Sequence, residues 1–487
     1  MPIQTPELAL APILPEILLA GVAMLILLVD ATRPSRGAWP MAVVALVGIL
    51  VAGAVVVRQW QVPPADELTV LGGMIAVDRY ALFFRLVILG SAALGVLLAA
   101  HYLERTGEAR GEYYALLLFA ASGMTLLAAA ADLIVVFLAL EVLSLSLYVM
   151  TGFSWRRLAS QEASLKYFLL GAFSSAFFLY GIALAYGATG TTSLGGIAEA
   201  LSGRTESVAL ILVAGALLTV GFSFKVAAVP FHMWTPDVYQ GAPTPVTGFM
   251  AAGTKVAGFA ALIRVATVAL GPVSWELTPA LVGVSALTMV IGSVLAIAQT
   301  DVKRMLAYSS IAHAGFVLVG VAAANQEGIS GSMFYLVAYA AMILGAFAVV
   351  IVVSRRGEDH TSLRSYRGLA RRNPVLGALL ALFLLSLAGI PPTAGFIAKV
   401  LVFGAAVRAG LEGLVVVAVL ASVVAAFFYI RLIVLAYMED PDEAAESVPT
   451  GSAPGVALAV TAALTLLFGI LPGLLLDPLQ TAGVLRW

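Results

Sequence analysis

The sequence of 487 residues contains no cysteine. Thiolate-ligated iron–sulfur clusters, thiolate metal sites and disulfide bonds are therefore excluded on this chain. Charged residues make up only 11% and the net charge is −1, which excludes the strongly basic surface of a nucleic-acid-binding protein. No glycine-rich turn stands between a strand pattern and a helix pattern, so the sequence shows no dinucleotide site.

Hydrophobic residues dominate what is present, at 61% of the chain. Windows of about 20 apolar residues, the length that crosses a bilayer as a helix, recur throughout. Each is predicted to be a helix, because a segment in lipid must satisfy its own backbone hydrogen bonds. We predict an all-α integral membrane protein with about 14 transmembrane helices, near 10–29, 40–57, 80–100, 112–130, 132–153, 165–187, 207–229, 244–268, 278–298, 305–324, 330–353, 374–406, 411–437 and 455–475. The first run has no basic segment before it and no small-residue cleavage site after it, so we expect a span and not a signal peptide.

The basic residues between these spans predict the orientation. If the N-terminus lies outside, the inner loops carry most of them, including six arginines in 355–372 and Arg33, Arg36, Arg105, Arg110, Arg156, Arg157, Lys303 and Arg304. The outer loops hold scattered ones, such as Arg58, Arg204 and Arg408. The positive-inside rule therefore predicts that both termini lie on the outer face of the membrane.

Lysine is rare, with five residues against 21 arginines, and three of the five lie inside predicted spans: Lys225, Lys255 and Lys399. A buried lysine can lose its proton, whereas arginine cannot in a protein. Glu141 is a fourth ionisable residue in the middle of an apolar run. A charge at the bilayer centre costs roughly 2.5–3.5 kcal/mol on insertion scales, so four such residues indicate proton-exchanging groups.

A short pattern recurs around two of these lysines. Gly-Phe-x-x-Lys occurs at 221–225 and again at 395–399. By the predicted topology the two helices run in opposite directions, as in an inverted repeat, although so short a pattern can also recur by chance. Pro230 follows the first lysine, and Gly-Ile-Pro-Pro-Thr at 389–393 interrupts the other span, so both helices 7 and 12 are predicted to be broken.

The repeat and the spans together predict the domain organisation. We expect N-terminal helices 1–3 in 1–110, a first repeat of helices 4–8 in 111–270, and a second, inverted repeat of helices 9–13 in 271–438. An acidic loop and helix 14 would fill 439–487. The ion sites of inverted repeats usually lie near the midplane, where the four ionisable residues fall.

Four segments together resemble a known family: 301–313 (Asp-Val-Lys-Arg-Met-Leu-Ala-Tyr-Ser-Ser-Ile-Ala-His), 229–237 (Val-Pro-Phe-His-Met-Trp-Thr-Pro-Asp), 241–246 (Gly-Ala-Pro-Thr-Pro-Val) and 162–171 (Glu-Ala-Ser-Leu-Lys-Tyr-Phe-Leu-Leu-Gly). They are similar to the antiporter-like proton-pumping subunits of respiratory complex I, the proton-translocating NADH:quinone oxidoreductase. The segment 162–171, the lysine at 399 and the short C-terminus resemble the subunit N group in particular. The resemblance extends over essentially the whole chain.

This resemblance implies roles for matching residues. Glu141 corresponds to the glutamate on the fifth helix, Lys225 to the lysine on the broken seventh, Lys255 to that on the eighth and Lys399 to that on the broken twelfth. The implied mechanism is a proton wire in which a change at Glu141 releases the proton of Lys225 toward Lys255 and Lys399. The chain would be a non-redox subunit of the translocase, driven by quinone reduction elsewhere.

The resemblance also implies cofactors and partners. No cofactor is expected on this chain; NADH, FMN, iron–sulfur clusters and quinone are expected in other subunits. The expected partners are a neighbouring antiporter-like subunit, small membrane subunits and the lipid bilayer, with no nucleic acid.

Each candidate has a structural alternative. Glu141 and Lys225 could form a purely structural ion pair. His313 could relay protons between the lysines or be an ordinary buried histidine. Lys166 lies near a membrane edge, where it could take part directly or snorkel to the interface. Other polar residues are interpreted as loop, surface or unexplained groups: His232 and Asp237 in a loop that could gate proton uptake, Asp301 with Lys303 and Arg304 at the surface, and Glu16 and Arg431 without an identified partner.

Two other functions stay open. The same motifs occur in subunits of multisubunit sodium/proton antiporters and membrane-bound hydrogenases. A membrane scaffold with vestigial charges is the remaining alternative, disfavoured because none of the four expected ionisable positions is missing.

Overall fold

The computed structural model describes residues 10–32, 37–61, 69–203, 208–354, 361–441 and 450–485. The basic residues Arg33, Arg36 and Arg204, those within 355–360 and most of the acidic loop after Pro441 lie outside the described residues. The statements below therefore concern these six stretches.

Helices form nearly all of the described structure, as the apolar runs predict. The α-helices are α1 (Leu14–Thr32), α2 (Trp39–Gln61), α3 (Arg79–Thr106), α4 (Gly111–Ala129), α5 (Leu133–Thr151), α6 (Leu158–Thr189), α7 (Leu194–Ser202), α8 (Val208–Val226), α9 (Trp234–Gly241), α10 (Thr244–Phe249), α11 (Lys255–Arg264), α12 (Ser274–Ile297), α13 (Val302–Ala322), α14 (Gln326–Val353), α15 (Leu369–Arg372), α16 (Pro374–Ala388), α17 (Ala394–Arg408), α18 (Glu412–Met438), α19 (Ser452–Ile470) and α20 (Gly473–Ala482). π-Helical turns at Met250–Thr254 and Val265–Ala269 flank α11, and 3₁₀ turns lie at Ala11–Ile13, Gly271–Val273 and Leu363–Tyr366. One antiparallel hairpin pairs β1 (Thr69–Val70) with β2 (Ile75–Ala76).

Thirteen stretches of the described residues are long and apolar enough to cross a membrane. The fourteenth crossing is the pair α16 and α17, whose first half alone is too short. This agrees with the 14 predicted spans, and the prediction of an all-α membrane protein is confirmed. Because consecutive crossings alternate in direction, α5, the fifth, and α13, the tenth, run in opposite directions.

Both predicted helix breaks are present. The seventh crossing, α8, ends at Val226, and α9 begins only at Trp234 after an irregular segment containing Pro230. The twelfth crossing stops at Ala388 and resumes at Ala394, with Pro391 and Pro392 between. Proline lacks the N–H that continues a helix and clashes with the preceding turn, which explains both interruptions.

The core lies around three central crossings. The segment Thr244–Ala269 is enclosed along its length, and α13 and α14 are nearly as buried. Helices α2, α6, α12 and α18 lie at the periphery and present large apolar side chains outward, such as Val47, Phe173 and Val423. An apolar outer face is what a lipid environment requires, so the polar side chains collect in the centre.

Candidate functional site

The first group of candidate side chains lies on α5, α6 and α8. Glu141 is half-buried on α5, and its Oε1 accepts a hydrogen bond from Ser175 of α6. Ser144 lies one turn further along the same face of α5 and accepts a hydrogen bond from the Lys225 Nζ at 2.8 Å. The Tyr167 hydroxyl lies 3.5 Å from the same Nζ. Glu141, Ser144 and Lys225 line one cavity of about 20 Å³, enough for one water molecule.

The helix break fixes the position of Lys225. Lys225 lies in the last turn of α8, whose unpaired carbonyls favour a positive charge. Just after the break, the Trp234 indole donates to the Phe224 carbonyl at 2.9 Å and stacks on Tyr167 with ring centroids 4.6 Å apart. The centre of the Tyr167 ring lies 5.8 Å from the Lys225 Nζ. The lysine is 6% exposed, so these contacts replace water around it.

Lys255 forms the next position, at the junction between a π-helical turn and α11. It is 3% exposed; its Nζ donates to the Ser310 carbonyl of α13 and lies 5.3 Å from the Tyr339 ring centre. One turn later, a methyl group on Gly258 would lie 3.5 Å from the Lys225 Cγ. The same methyl group would lie only 3.1 Å from the Val226 Cγ1, so α11 packs closely on the end of α8 and the two lysines lie on neighbouring, contacting segments.

His313 lies between Lys255 and the last lysine. It is fully buried on α13, with Nδ1 2.8 Å from the Tyr335 hydroxyl and Nε2 3.2 Å from the Tyr429 hydroxyl. Tyr429 also hydrogen bonds to Ser309, one turn before the histidine. The Tyr339 ring that faces Lys255 lies 5.1 Å from the imidazole, so one aromatic side chain contacts both titratable groups.

Lys399 completes the group on α17, and its side chain points back across the helix break. Its Nζ donates to the Ala388 carbonyl, at the end of α16, at 2.8 Å and lies 4.6 Å from the Phe316 ring centre. Phe316 also contacts the His313 ring, at 5.8 Å. Gly389 lies in the left-handed region at φ 88°, and a Cβ there would lie 2.8 Å from the Lys399 Cδ. Glycine is required at this position both for the turn and for the passage of the lysine.

Five of the six predicted site residues therefore form one series of neighbours. We call Glu141, Lys225, Lys255, His313 and Lys399 the buried row. Three of its members are lysines no more than 6% exposed, held by hydroxyls, carbonyls and aromatic rings. Among the residues that the structure describes, no ion pair of carboxylate and ammonium joins Glu141 to Lys225, so the simple structural pair considered from the sequence is not formed.

Comparison with known proteins identifies the family. Residues 130–425 match the family described as NADH:quinone oxidoreductase/Mrp antiporter, transmembrane. The chain is 43% identical to NADH-quinone oxidoreductase subunit N of Trichlorobacter lovleyi over 471 residues, 96% of each chain. The chain belongs to this family.

Solved structures of family members agree in fold. A chain of respiratory complex I from Thermus thermophilus matches with a TM-score of 0.82 at 39% identity, over 95% of this chain and 98% of that one. A chain of the Mrp complex from Dietzia sp. matches with a TM-score of 0.83, but at 22% identity it shows the fold alone, over 97% of each chain. The resemblance to antiporter-like membrane subunits of complex I is confirmed, and proton translocation is the general function of that family.

Lys166, the sixth predicted residue, lies apart from the buried row. Its side chain is 42% exposed and forms ion pairs with Asp237 at 2.8 Å and Glu162 at 2.7 Å. Arg304 binds the other carboxylate oxygen of Asp237 at 2.6 Å. Burial raises the pKa of the Asp237 carboxyl, but the hydrogen bonds from Lys166 and Arg304 outweigh burial and hold that pKa below its ordinary value. The structure thus joins Lys166, Asp237 and Arg304 in a partly exposed network between α6, α9 and α13.

Several interpretations of isolated charges are corrected or completed. Lys303 was expected in a surface cluster but is fully buried, and its Nζ donates to the Ala242 carbonyl at 2.6 Å. Glu16 binds Arg85 at 2.9 Å, and both are buried, so this pair holds α1 to α3. Arg431 donates to the Ile297 carbonyl at 3.1 Å and thereby caps the end of α12.

Sequence reasoning missed the side chains that surround the row. Ser144 follows Glu141 by one helical turn, a spacing that could have identified it. Tyr429 follows Lys255 at the same separation along the chain as Lys399 follows Lys225, and it therefore occupies the matching place of the second repeat. For Ser175 and Tyr335 the sequence carries no comparable signal, because only the packing of α6 and α14 brings them to the site.

Proposed function

We propose that this chain carries protons across the membrane along the buried row, as the subunit N-type pumping subunit of an NADH:quinone oxidoreductase. The main support is that these buried residues follow one another through direct contacts: α11, which begins at Lys255, packs at Gly258 against the end of α8 that carries Lys225, the Tyr339 ring contacts both Lys255 and His313, and the Phe316 ring contacts both His313 and Lys399. Such residues are costly in a membrane and mark ion pathways.

The proposed cycle begins at Glu141. A carboxylate in the cavity it shares with Lys225 favours the charged ammonium, and neutralising or displacing that carboxylate destabilises it. The Lys225 proton then passes by way of hydroxyls and water to Lys255, to the His313 imidazole and to Lys399. Imidazole can accept a proton on one nitrogen and release one from the other, which suits it to the middle of the row.

The driving force comes from other subunits in this proposal. NADH, FMN, iron–sulfur clusters and quinone are placed in other subunits, as the family resemblance implies, with a neighbouring antiporter-like subunit and small membrane subunits as partners. Both termini would face the outer side of the bacterial inner membrane.

Two substitutions of Lys225 in the assembled complex test the proposal: Lys225→Ala removes the charge, and Lys225→Arg keeps it. Arginine keeps a positive charge but does not release its proton, so a structural charge survives this change and a proton-transfer group does not. We expect both variants to lose proton pumping and coupled quinone reduction while the complex still assembles. Arg408→Ala, which removes an exposed positive charge paired with Glu327, is the control and should pump normally.

Two results would overturn the proposal. Normal pumping by Lys225→Arg would reduce the lysine to a structural charge. Pumping that requires sodium in the wild-type complex would favour the antiporter function instead. Both are read from the same vesicles by following proton uptake with and without sodium.

A further inference from the structure

A carboxylate fixes the start of α5 to a distant segment. Asp132 caps the helix by accepting from the Ile134 N–H at 2.8 Å, and its other oxygen accepts from the Thr192 hydroxyl at 2.6 Å. Two backbone hydrogen bonds of 2.9 Å, Leu133 to Thr192 and Leu194 to Ala131, continue the attachment. We call this arrangement the first clasp. It lies where the connection from α6 passes through α7 toward the broken seventh crossing.

The start of α13 is fixed in the same manner. Asp301 caps the helix by accepting from the Arg304 N–H at 2.9 Å, and its other oxygen accepts from the Thr361 hydroxyl. The backbone bonds are Val302 to Thr361 at 2.6 Å and Leu363 to Thr300 at 2.9 Å. This second clasp lies on the connection from α14 through α15 to the broken twelfth crossing.

The two clasps are copies of one unit. A single constant offset along the chain relates Asp132, Thr192 and Leu194 of the first clasp to Asp301, Thr361 and Leu363 of the second, and both clasps contain Thr-Ser-Leu. The central backbone bridges are also equivalent, Asp132 with Ser193 and Asp301 with Ser362. Because α5 and α13 run in opposite directions, the clasps lie at opposite faces of the membrane.

Each clasp lies at the same distance along its helix from a residue near one of the two lysines at the helix breaks. Ser144, which binds Lys225, lies as far along the chain from Asp132 as His313, whose ring packs on the Phe316 ring that contacts Lys399, lies from Asp301. In each half, the clasp joins the helix that carries this partner to the segment leading into the broken helix that carries the lysine. Fixing the start of α5 therefore fixes the position of Ser144 along the helix axis relative to Lys225. Fixing the start of α13 does the same for His313 relative to Lys399.

We propose that Asp132–Thr192 and Asp301–Thr361 are positioning pairs for proton transfer, one for each lysine at a helix break. Neither pair contacts the lysines. Each acts by holding the helix of the lysine's partner in axial register with the broken helix. The inference rests on the proposed proton-transfer function of the buried row.

Thr192→Val and Thr361→Val test the pairs most directly. Valine keeps the shape and leaves the aspartate free to cap its helix, so only the hydroxyl link is removed. In assembled complexes we expect protons moved per quinone reduced to fall at least twofold for each variant, and Thr→Ser at the same positions to restore the ratio. Thr278→Val is the matched control, because the Thr278 hydroxyl bonds only within its own helix, to the Ser274 carbonyl at 2.8 Å.

A pH profile separates positioning from general loss of stability. A displaced partner changes the proton affinity of the lysine site, so the pH optimum of pumping should shift in the valine variants and return with serine. A variant that merely assembles poorly would lower the amplitude at every pH without shifting the optimum. An unchanged ratio and an unchanged optimum in both valine variants would overturn the inference.

Lys225→Arg is assayed in the same series to separate the two proposals. If Lys225→Arg pumps normally, the proposed proton transfer along the buried row is wrong, and the clasps have no lysine to position for it. If it fails while both valine variants match Thr278→Val, the row stands and the clasps are only structural.

Discussion

The two lysines at the helix breaks share one electrostatic arrangement but differ in their partners. Lys225 lies in the last turn of α8, and Lys399, although it lies on α17, reaches back to the last carbonyl of α16. Both ammonium groups therefore lie at the C-terminal end of a half-helix, where the helix dipole favours a cation. The recurring Gly-Phe-x-x-Lys pattern does not show this, because the break follows the first lysine and precedes the second.

The partners differ in charge and in exposure. At Lys225 they are a serine, a tyrosine and, across a small cavity, the half-buried carboxylate of Glu141. At Lys399 they are the Ala388 carbonyl, the Phe316 ring and, beyond it, the fully buried His313. In the proposed proton path, a charge outside this chain would therefore act at the half-buried Glu141 rather than at the enclosed His313 and Lys399.

The largest expected effect comes from removing the terminal lysine. Lys399→Ala and Lys399→Arg should each lower proton pumping about tenfold or more, since a missing acid–base group typically costs 10²–10⁴-fold in a proton-transfer step. Proton uptake by vesicles containing the assembled complex measures it. Full activity of the arginine variant would show that the two lysines are not equivalent.

Glu141→Gln tests the exposed side of the comparison. The amide keeps the size and the hydrogen bond from Ser175 but cannot carry charge, so pumping should fall about tenfold. Glu141→Asp should retain part of the activity because it keeps the charge. If the Glu141→Gln variant takes up protons as fast as the wild type, the charge of Glu141 does not start the proposed cycle.

His313→Gln tests the enclosed side. We expect a severalfold loss of pumping, smaller than for Lys399, because hydroxyls and water can partly replace an imidazole between the lysines. The quinone-reduction rate measured without a proton gradient should fall in parallel. If pumping is unchanged, His313 is the ordinary buried histidine considered from the sequence.

Tyr429→Phe and Tyr335→Phe test how the imidazole is held. Each removes one hydrogen bond to His313, at 3.2 and 2.8 Å respectively. A net hydrogen bond contributes about 0.5–1.5 kcal/mol and the imidazole keeps its other bond, so each change should lower pumping only about twofold, less than His313→Gln. In the His313→Gln background either change should add little, and an additive loss there would show that the tyrosines act independently.

The smallest effect is expected from Asp237→Asn. Asp237 lies on α9 and forms ion pairs with Lys166 of α6 and Arg304 of α13. Because the pKa of Asp237 is held below its ordinary value, its ion pairs stabilise the fold at every pH above about 4 and are lost only as pH falls further. The pairs are partly exposed, so the loss at pH 7 should be about 1 kcal/mol or less and shrink in high salt. Thermal unfolding of wild type and variant at low and high salt measures it, and a loss that does not depend on salt would contradict the assignment.

The predictions from sequence succeeded for features that depend on a single stretch of the chain. Apolar length gave the crossings, since a helix in lipid satisfies its own backbone, and Pro230 with Pro391 and Pro392 gave both breaks. The lysines within spans were recognised because charge in an apolar run is costly wherever its partners lie. The domain boundaries and the orientation of the termini stay predictions.

By itself the sequence determined the helices, their breaks and the four ionisable residues placed in the membrane. Only the tertiary structure decided which neighbours these residues have. Ser144 meets Lys225 across 81 residues of chain and Tyr429 meets His313 across 116, while Lys166, near a predicted membrane edge, pairs with Asp237. Apolar periodicity states that a side chain is buried but not against what, because contacts between helices depend on packing that no single segment contains.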